Sequence, residues 1–280
     1  VLNWLLDPLQ YDFITRALIA AVIVGAVCSL LGTYVVLRGM AFLGDAMAHT
    51  ILPGVVIAYL AGFSLILGAL AMGILTALGI GVLTERGALK EDTAIGVIFA
   101  GLFALGVALL SASRNYTIDL AHFLFGNLLG VSQTDLWVIA GLALLVVLII
   151  VLFYKEFLVL SFDPVLATTL RLPTRFLRYL MLLLMAITIV IALQAVGIAL
   201  ILAMLVTPAA TASFLTHRLP SMMLVSVAIG ATSGVVGMYA SYYLNVASGP
   251  AVVLVATAIF VLVFLLTADR GVPELLKRRP

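Results

Sequence analysis

The chain is a succession of apolar runs, each about as long as a lipid bilayer is thick, separated by short polar stretches. The clearest runs are 13–37, 65–83, 94–111, 136–153, 222–244 and 251–268. At 1.5 Å of rise per residue, about 20 apolar residues in a helix cross a hydrocarbon core of roughly 30 Å. A water-facing surface is excluded by the charge content, which is 9% where soluble domains carry about 25%. Two further runs are irregular. Residues 44–61 are interrupted by Pro53 and Gly54. Residues 179–215 would extend about 55 Å as one straight helix, too long for a single crossing. Pro208 and the segment 194–197 predict a break there, giving two spans or one span plus a broken helix. The expected fold class is all-α: a polytopic transmembrane helical bundle of about eight or nine spans, with residues 1–280 forming one domain.

Two polar segments stand apart from the runs. Residues 113–135 hold Arg114, Asn115, Asp119, His122, Asn127 and Gln133, with Phe123 and Phe125 among them. This is too polar for a lipid-exposed span and predicts an interfacial or re-entrant segment. Residues 155–178 hold Asp163 followed by Pro164, a cap and a first-turn proline, which predict a short helix to about Leu170.

Lysine and arginine set the orientation. With the C-terminus inside and nine alternating crossings, Arg38, Arg86, Lys90, Lys155, Arg171, Arg175, Arg178, Arg218, Arg270, Lys277, Arg278 and Arg279 fall on the cytoplasmic side. Only Arg16 and Arg114 fall outside. The N-terminal stretch carries Asp7 and lacks a basic n-region, so the first run reads as a retained span rather than a signal peptide. The single cysteine, Cys28, excludes an intrachain disulfide framework and reads as a packing residue.

Ionisable residues inside apolar runs are functional candidates, because lipid penalises them. The sequence Gly44-Asp45-Ala46-Met47-Ala48-His49 places Asp45 and His49 four apart, on one helix face. A carboxylate oxygen and an imidazole nitrogen suit zinc, manganese or iron better than an alkali cation. One such pair is too small for a tight site, but two pairs around a two-fold axis supply four ligands. The competing reading has Asp45 capping a helix that starts at Gly44, with His49 packed against a carbonyl. Asp119 and His122, three apart in the interfacial segment, are candidate contacts at the outer mouth. His217 sits at a turn beside Arg218, and Gln194 lies in an apolar run. The chain holds no G-x-x-x-x-G-K-[ST] loop, no H-E-x-x-H and no G-x-S-x-G. It offers no cradle for ATP and no hydrolytic nucleophile, which argues against an intramembrane enzyme.

The chain resembles the permease subunits of bacterial ABC transporters for zinc, manganese and iron. The likeness begins at Leu31-Gly32-Thr33-Tyr34-Val35-Val36-Leu37-Arg38-Gly39-Met40. It is strongest from Gly44-Asp45-Ala46-Met47-Ala48-His49 through Thr50-Ile51-Leu52-Pro53-Gly54. It continues at Asp92-Thr93-Ala94-Ile95-Gly96-Val97-Ile98-Phe99 and at Asp119 with His122-Phe123-Leu124-Phe125-Gly126-Asn127. It ends at Gln194-Ala195-Val196-Gly197 and Pro208-Ala209-Ala210-Thr211-Ala212. The resemblance implies a multi-pass protein of the bacterial plasma membrane, paired with a second copy. Two ATP-binding subunits sit on the cytoplasmic side, and an extracellular or periplasmic metal-binding protein delivers the ion. Asp45 and His49 match the family's pathway ligands. The coupling helix falls in residues 155–178, with Asp163, Pro164 and Ala167 its residues. No cofactor is bound by the chain itself, and ATP belongs to the partner. Ala48 departs from the family's usual serine. A permease for a siderophore or another organic solute, and a secondary metal transporter, are the competing functions.

Overall fold

A computed structural model describes residues 7–85, 90–112 and 128–277, with side chains described outside 194–196, 198–200 and 268–277. A 3-10 turn, Pro8–Gln10, precedes twelve α-helices: α1 Asp12–Leu37, α2 Ala41–Thr50, α3 Leu52–Ala61, α4 Leu65–Glu85, α5 Glu91–Ala112, α6 Gln133–Leu152, α7 Tyr154–Phe162, α8 Pro164–Thr169, α9 Thr174–Val196, α10 Ile198–Leu215, α11 Leu219–Leu244 and α12 Ser248–Lys277. Among the described residues there is no strand. Among the described residues, eight helical segments are long and apolar enough to cross a membrane, with α2 and α3 together making one of them. A shorter apolar helix, Ile201–Leu215, belongs to α10. The fold is an all-α transmembrane bundle, as the apolar runs require.

The breaks fall at some of the expected positions, but Pro208 is not one of them: it lies inside α10, which continues through it from Ile198 to Leu215. The run 179–215 divides at Gly197, whose φ of 79° and ψ of 163° end α9 and start α10. Pro53 lies in the first turn of α3 and has no N–H to give to the carbonyl of His49 four residues back. The helix therefore breaks between Thr50 and Leu52, directly after the imidazole. Gly62, at φ 72°, closes α3 in the left-handed conformation. Asp163 caps α8 as the sequence requires. Its Oδ1 accepts from the backbone N–H groups of Val165 and Leu166, both at 2.9 Å.

The centre of the bundle is α1, which packs on α11, α10, α6 and α9. In lipid the hydrophobic effect does not drive helices together, so close backbone approach and dispersion must. Gly25 on α1 and Gly230 on α11 face each other so closely that a Cβ on either would run into the other's carbonyl oxygen. Ser226 fixes the same crossing by donating to the carbonyl of Ser29 at 2.9 Å. Near the end of α1, Tyr34 meets Phe157 of α7 edge-on, with ring centroids 5.7 Å apart. Both rings are buried, which ties α7 to the bundle.

One end of the bundle collects the ion pairs. Arg38, just past α1, lies 3.8 Å from Glu91 at the start of α5. Glu85, ending α4, pairs with Arg175 in the first turn of α9. This is the end assigned to the cytoplasm by the lysine and arginine distribution. Of the interfacial segment, residues 113–127 lie outside the described residues. The remainder forms a 3-10 turn, Leu128–Gly130, followed by the Ser132–Asp135 capping box that opens α6.

Candidate metal path

The helix that carries both candidate ligands, α2, starts at Ala41, with Met40 preceding it, so Asp45 stands inside the helix and caps nothing. The helix start expected at Gly44 is therefore corrected. Gly44 has a different task. A Cβ there would come within 2.8 Å of Leu205 Cδ2 on α10, so glycine lets α2 lie close against the bundle. Its neighbours Leu43, Ala46, Met47 and Ala48 are all buried on the same contact.

The opposite face of α2 is Phe42, Asp45 and His49, spaced three and four apart. Asp45 Oδ1 lies 3.7 Å from His49 Nε2, and the two side chains are 34% and 28% exposed. They are adjacent, they share a face, and they look out of the single chain rather than into its core. Ala48 is fully buried, so a hydroxyl at that position would sit in the core and not beside the pair.

Two phenylalanines flank the imidazole, and a third packs on one of them. Phe99 and Phe103 of α5 lie one helical turn apart, nearly parallel, with centroids 5.7 Å apart. His49 contacts both, at 5.8 Å from Phe99 and 5.3 Å from Phe103. Phe42 meets Phe99 edge-on at 6.1 Å. The two rings pack against the imidazole from α5, and its Nε2 lies 3.7 Å from Asp45 Oδ1. Sequence reasoning missed this bracket. The only trace is the i, i+4 spacing of Phe99 and Phe103, which an ordinary lipid-facing helix also shows.

Asp119 and His122 lie outside the described residues. Gln194 falls at the end of α9, where side chains are not described. His217 stands in the turn between α10 and α11. Among the described residues, no group of three or more histidine, cysteine or acidic side chains is placed to hold a metal ion. The pair therefore offers two ligands per chain. Asp163 and Pro164 open α8. Ala167 is buried against the body of the protein, while Val165 and Leu166 beside it are 74% and 46% exposed.

Known proteins match this arrangement along most of its length. The chain is 47% identical over 264 residues to the manganese transport system membrane protein MntC of Halalkalibacterium halodurans, covering 94% of this chain and 90% of that one. It is 41% identical over 259 residues to the chelated iron transport system membrane protein YfeD of Yersinia pestis, covering 91% and 86%. Among solved structures, PsaBC from Streptococcus pneumoniae in complex with Fab superposes with a TM-score of 0.84 at 39% identity, covering 94% of this chain and 95% of that one. A description of the ABC 3 transport family matches residues 10–267, and the chain belongs to that family.

Proposed function

We propose that this chain is the membrane-spanning subunit of an ATP-driven importer in the plasma membrane, carrying divalent metal ions into the cytoplasm. Manganese is the first candidate cargo, with iron and zinc next. The observation that carries this reading is the outward-facing Asp45–His49 pair. Asp45 lies roughly 6 Å and His49 roughly 12 Å past the start of α2, within an apolar span of bilayer length. A carboxylate presented to lipid costs up to about 2.5–3.5 kcal/mol by insertion scales, the value at the centre of the bilayer. A second copy placed over this face removes that cost and doubles the ligands to two carboxylates and two imidazoles.

The mechanism follows from how few ligands each chain contributes. A fixed four-ligand cage would trap the ion. Ligands divided between two rigid copies grip when the copies approach and release when they part. The Phe99–Phe103 bracket keeps each imidazole at a set angle, so rigid-body motion of the helices is passed to the ligand. At the cytoplasmic end, α8 is the coupling element. Its apolar Val165 and Leu166 face outward beside exposed Phe162 and Leu170, and a partner ATPase covers them. Tyr34 and Phe157 then connect that element to α1. The metal names of the relatives support the cargo class.

The test is metal uptake into proteoliposomes holding this chain with its ATPase and binding protein. Manganese, iron and zinc are compared in wild type and Asp45→Ala. ATP-dependent uptake that disappears in the variant supports the reading. Uptake without ATP establishes a secondary carrier instead. An intact complex that moves no metal sends the search to organic solutes.

A further inference from the structure

A second polar site lies at the cytoplasmic end of the bundle, far along the chain from Asp45 and His49. A cavity of about 190 Å³ opens between the end of α4 and the start of α9. It is lined by Gly81, Glu85, Thr174, Arg175, Arg178 and Tyr179. Its acid is already committed: Glu85 pairs with Arg175 and accepts a hydrogen bond from the Tyr179 hydroxyl at 3.2 Å. Arg178, one turn beyond Arg175, has no counter-ion within salt-bridge distance among the described residues, and its Nε is buried without a hydrogen-bond acceptor. A guanidinium N–H withdrawn from water with no acceptor is costly. An anion in the cavity removes that cost.

The surroundings say which anion. The cavity lies at the first turn of α9, where Pro173 provides no side-chain cap and the free backbone N–H groups favour negative charge. Leading to it along α4 is an exposed apolar stripe: Leu75, Leu78 and Val82, at 60%, 44% and 47%, in helical register with Glu85. An apolar stripe ending in a basic cavity at the cytoplasmic end fits an acyl chain leading to a charged headgroup, since basic pockets between transmembrane helices on this side take anionic headgroups. A free phosphate would leave the stripe unexplained. Arginine also matches phosphate oxygens with two parallel N–H donors.

We propose that this cavity is a binding site for the phosphate headgroup of an anionic phospholipid of the inner leaflet. Arg178 is the principal donor, Arg175 and the Thr174 hydroxyl assist, and the acyl chains lie along Leu75, Leu78 and Val82. The site joins α4, which packs on the half-span α3, to α9, which follows α8. A bound lipid therefore braces the contact between the half carrying the metal pair and the half facing the ATPase.

The experiment is native mass spectrometry of the full-length chain with equal amounts of dioleoyl phosphatidylglycerol and dioleoyl phosphatidylcholine. Wild type should retain phosphatidylglycerol in preference. Arg178→Gln should lower that preference roughly five-fold, the effect of one basic residue near a membrane surface, and Arg178→Lys should keep part of it. Equal retention of the two lipids by wild type overturns the proposal, as does an unchanged preference in Arg178→Gln. Stabilisation by millimolar inorganic phosphate with no lipid preference assigns the cavity to a free anion and overturns it. Loss of phosphatidylglycerol on adding the ATPase subunit, together with failure of Arg178→Gln to assemble, assigns Arg178 to the protein interface and also overturns it. If Arg178→Gln does not fold, wild type decides alone: its unfolding midpoint must rise with phosphatidylglycerol and not with phosphatidylcholine.

Discussion

His49 and Phe103 meet edge to face, with ring centroids 5.3 Å apart and planes at 75°. An aromatic pair in this arrangement contributes about 0.5–1.5 kcal/mol beyond its buried area, enough to hold the imidazole in one orientation. The ring sits on α5, so it and the candidate ligand His49 belong to different helices.

Removing that ring should loosen the ligand without deleting it. Phe103→Ala is expected to lower metal uptake several-fold, with a larger effect on apparent metal affinity than on the maximal rate. Phe103→Tyr, which keeps the ring, should stay near wild type. Uptake measured over a range of metal concentrations separates the two parameters. A loss of rate at unchanged affinity would show that the ring serves helix motion rather than ligand orientation.

Asp45 makes a sharper contrast. It stands inside α2, caps nothing and is about one-third exposed. Asp45→Ala should therefore leave the unfolding midpoint of the single chain unchanged or slightly raised, while uptake falls by at least roughly tenfold. Circular dichroism with temperature and proteoliposome uptake, done on one preparation, check both halves. A large drop in midpoint would mean that Asp45 supports the fold.

The helices were legible because lipid makes the pattern coarse: an apolar run of bilayer length has one stable backbone, the helix. Breaks were legible where the chemistry is local. Asp163 with Pro164 marked the start of α8, and the long run had to divide, as it does at Gly197. Helix faces were not legible. In water, burial separates the packed face of a helix from the solvated one. In lipid an apolar side chain is satisfied on either side, so Phe99 and Phe103 look the same whether they face a tail or an imidazole. The misread start at Gly44 has the same origin. Glycine beside aspartate imitates a helix start, and only the position of Leu205, more than a hundred residues on, shows that the glycine is there for close packing.

That packing yields a paired prediction. A methyl group at Gly25 would meet the backbone of Gly230, which cannot swing aside, whereas one at Gly101 has nothing within 4 Å. Gly25→Ala should destabilise the protein by about 1–3 kcal/mol, the usual penalty for overpacking. Gly101→Ala should be neutral or stabilising by up to about 1 kcal/mol, since alanine is the better helix former. Thermal unfolding in one detergent compares them directly. Equal effects would mean that the α1–α11 crossing yields more than its geometry implies.

The cap on α8 tests the route from the ATPase to the bundle. Asp163 satisfies two backbone donors of a six-residue helix, and losing a cap costs about 1 kcal/mol. So short a helix has little else to hold its shape, apart from buried Ala167. Because α8 is exposed and peripheral, Asp163→Ala should barely move the global unfolding midpoint. The helix should fray instead, and its outward residues Val165 and Leu166 should lose their fixed presentation. The expected outcome is a complex that still binds the ATPase, more weakly, and hydrolyses ATP with less metal moved per turnover. Asp163→Asn and Asp163→Ser retain a capping oxygen and should recover most of the coupling. ATP hydrolysis and metal uptake measured in the same vesicles give that ratio. If the ratio is unchanged in Asp163→Ala, α8 does not transmit the stroke, and the coupling contact must be sought elsewhere on the cytoplasmic face.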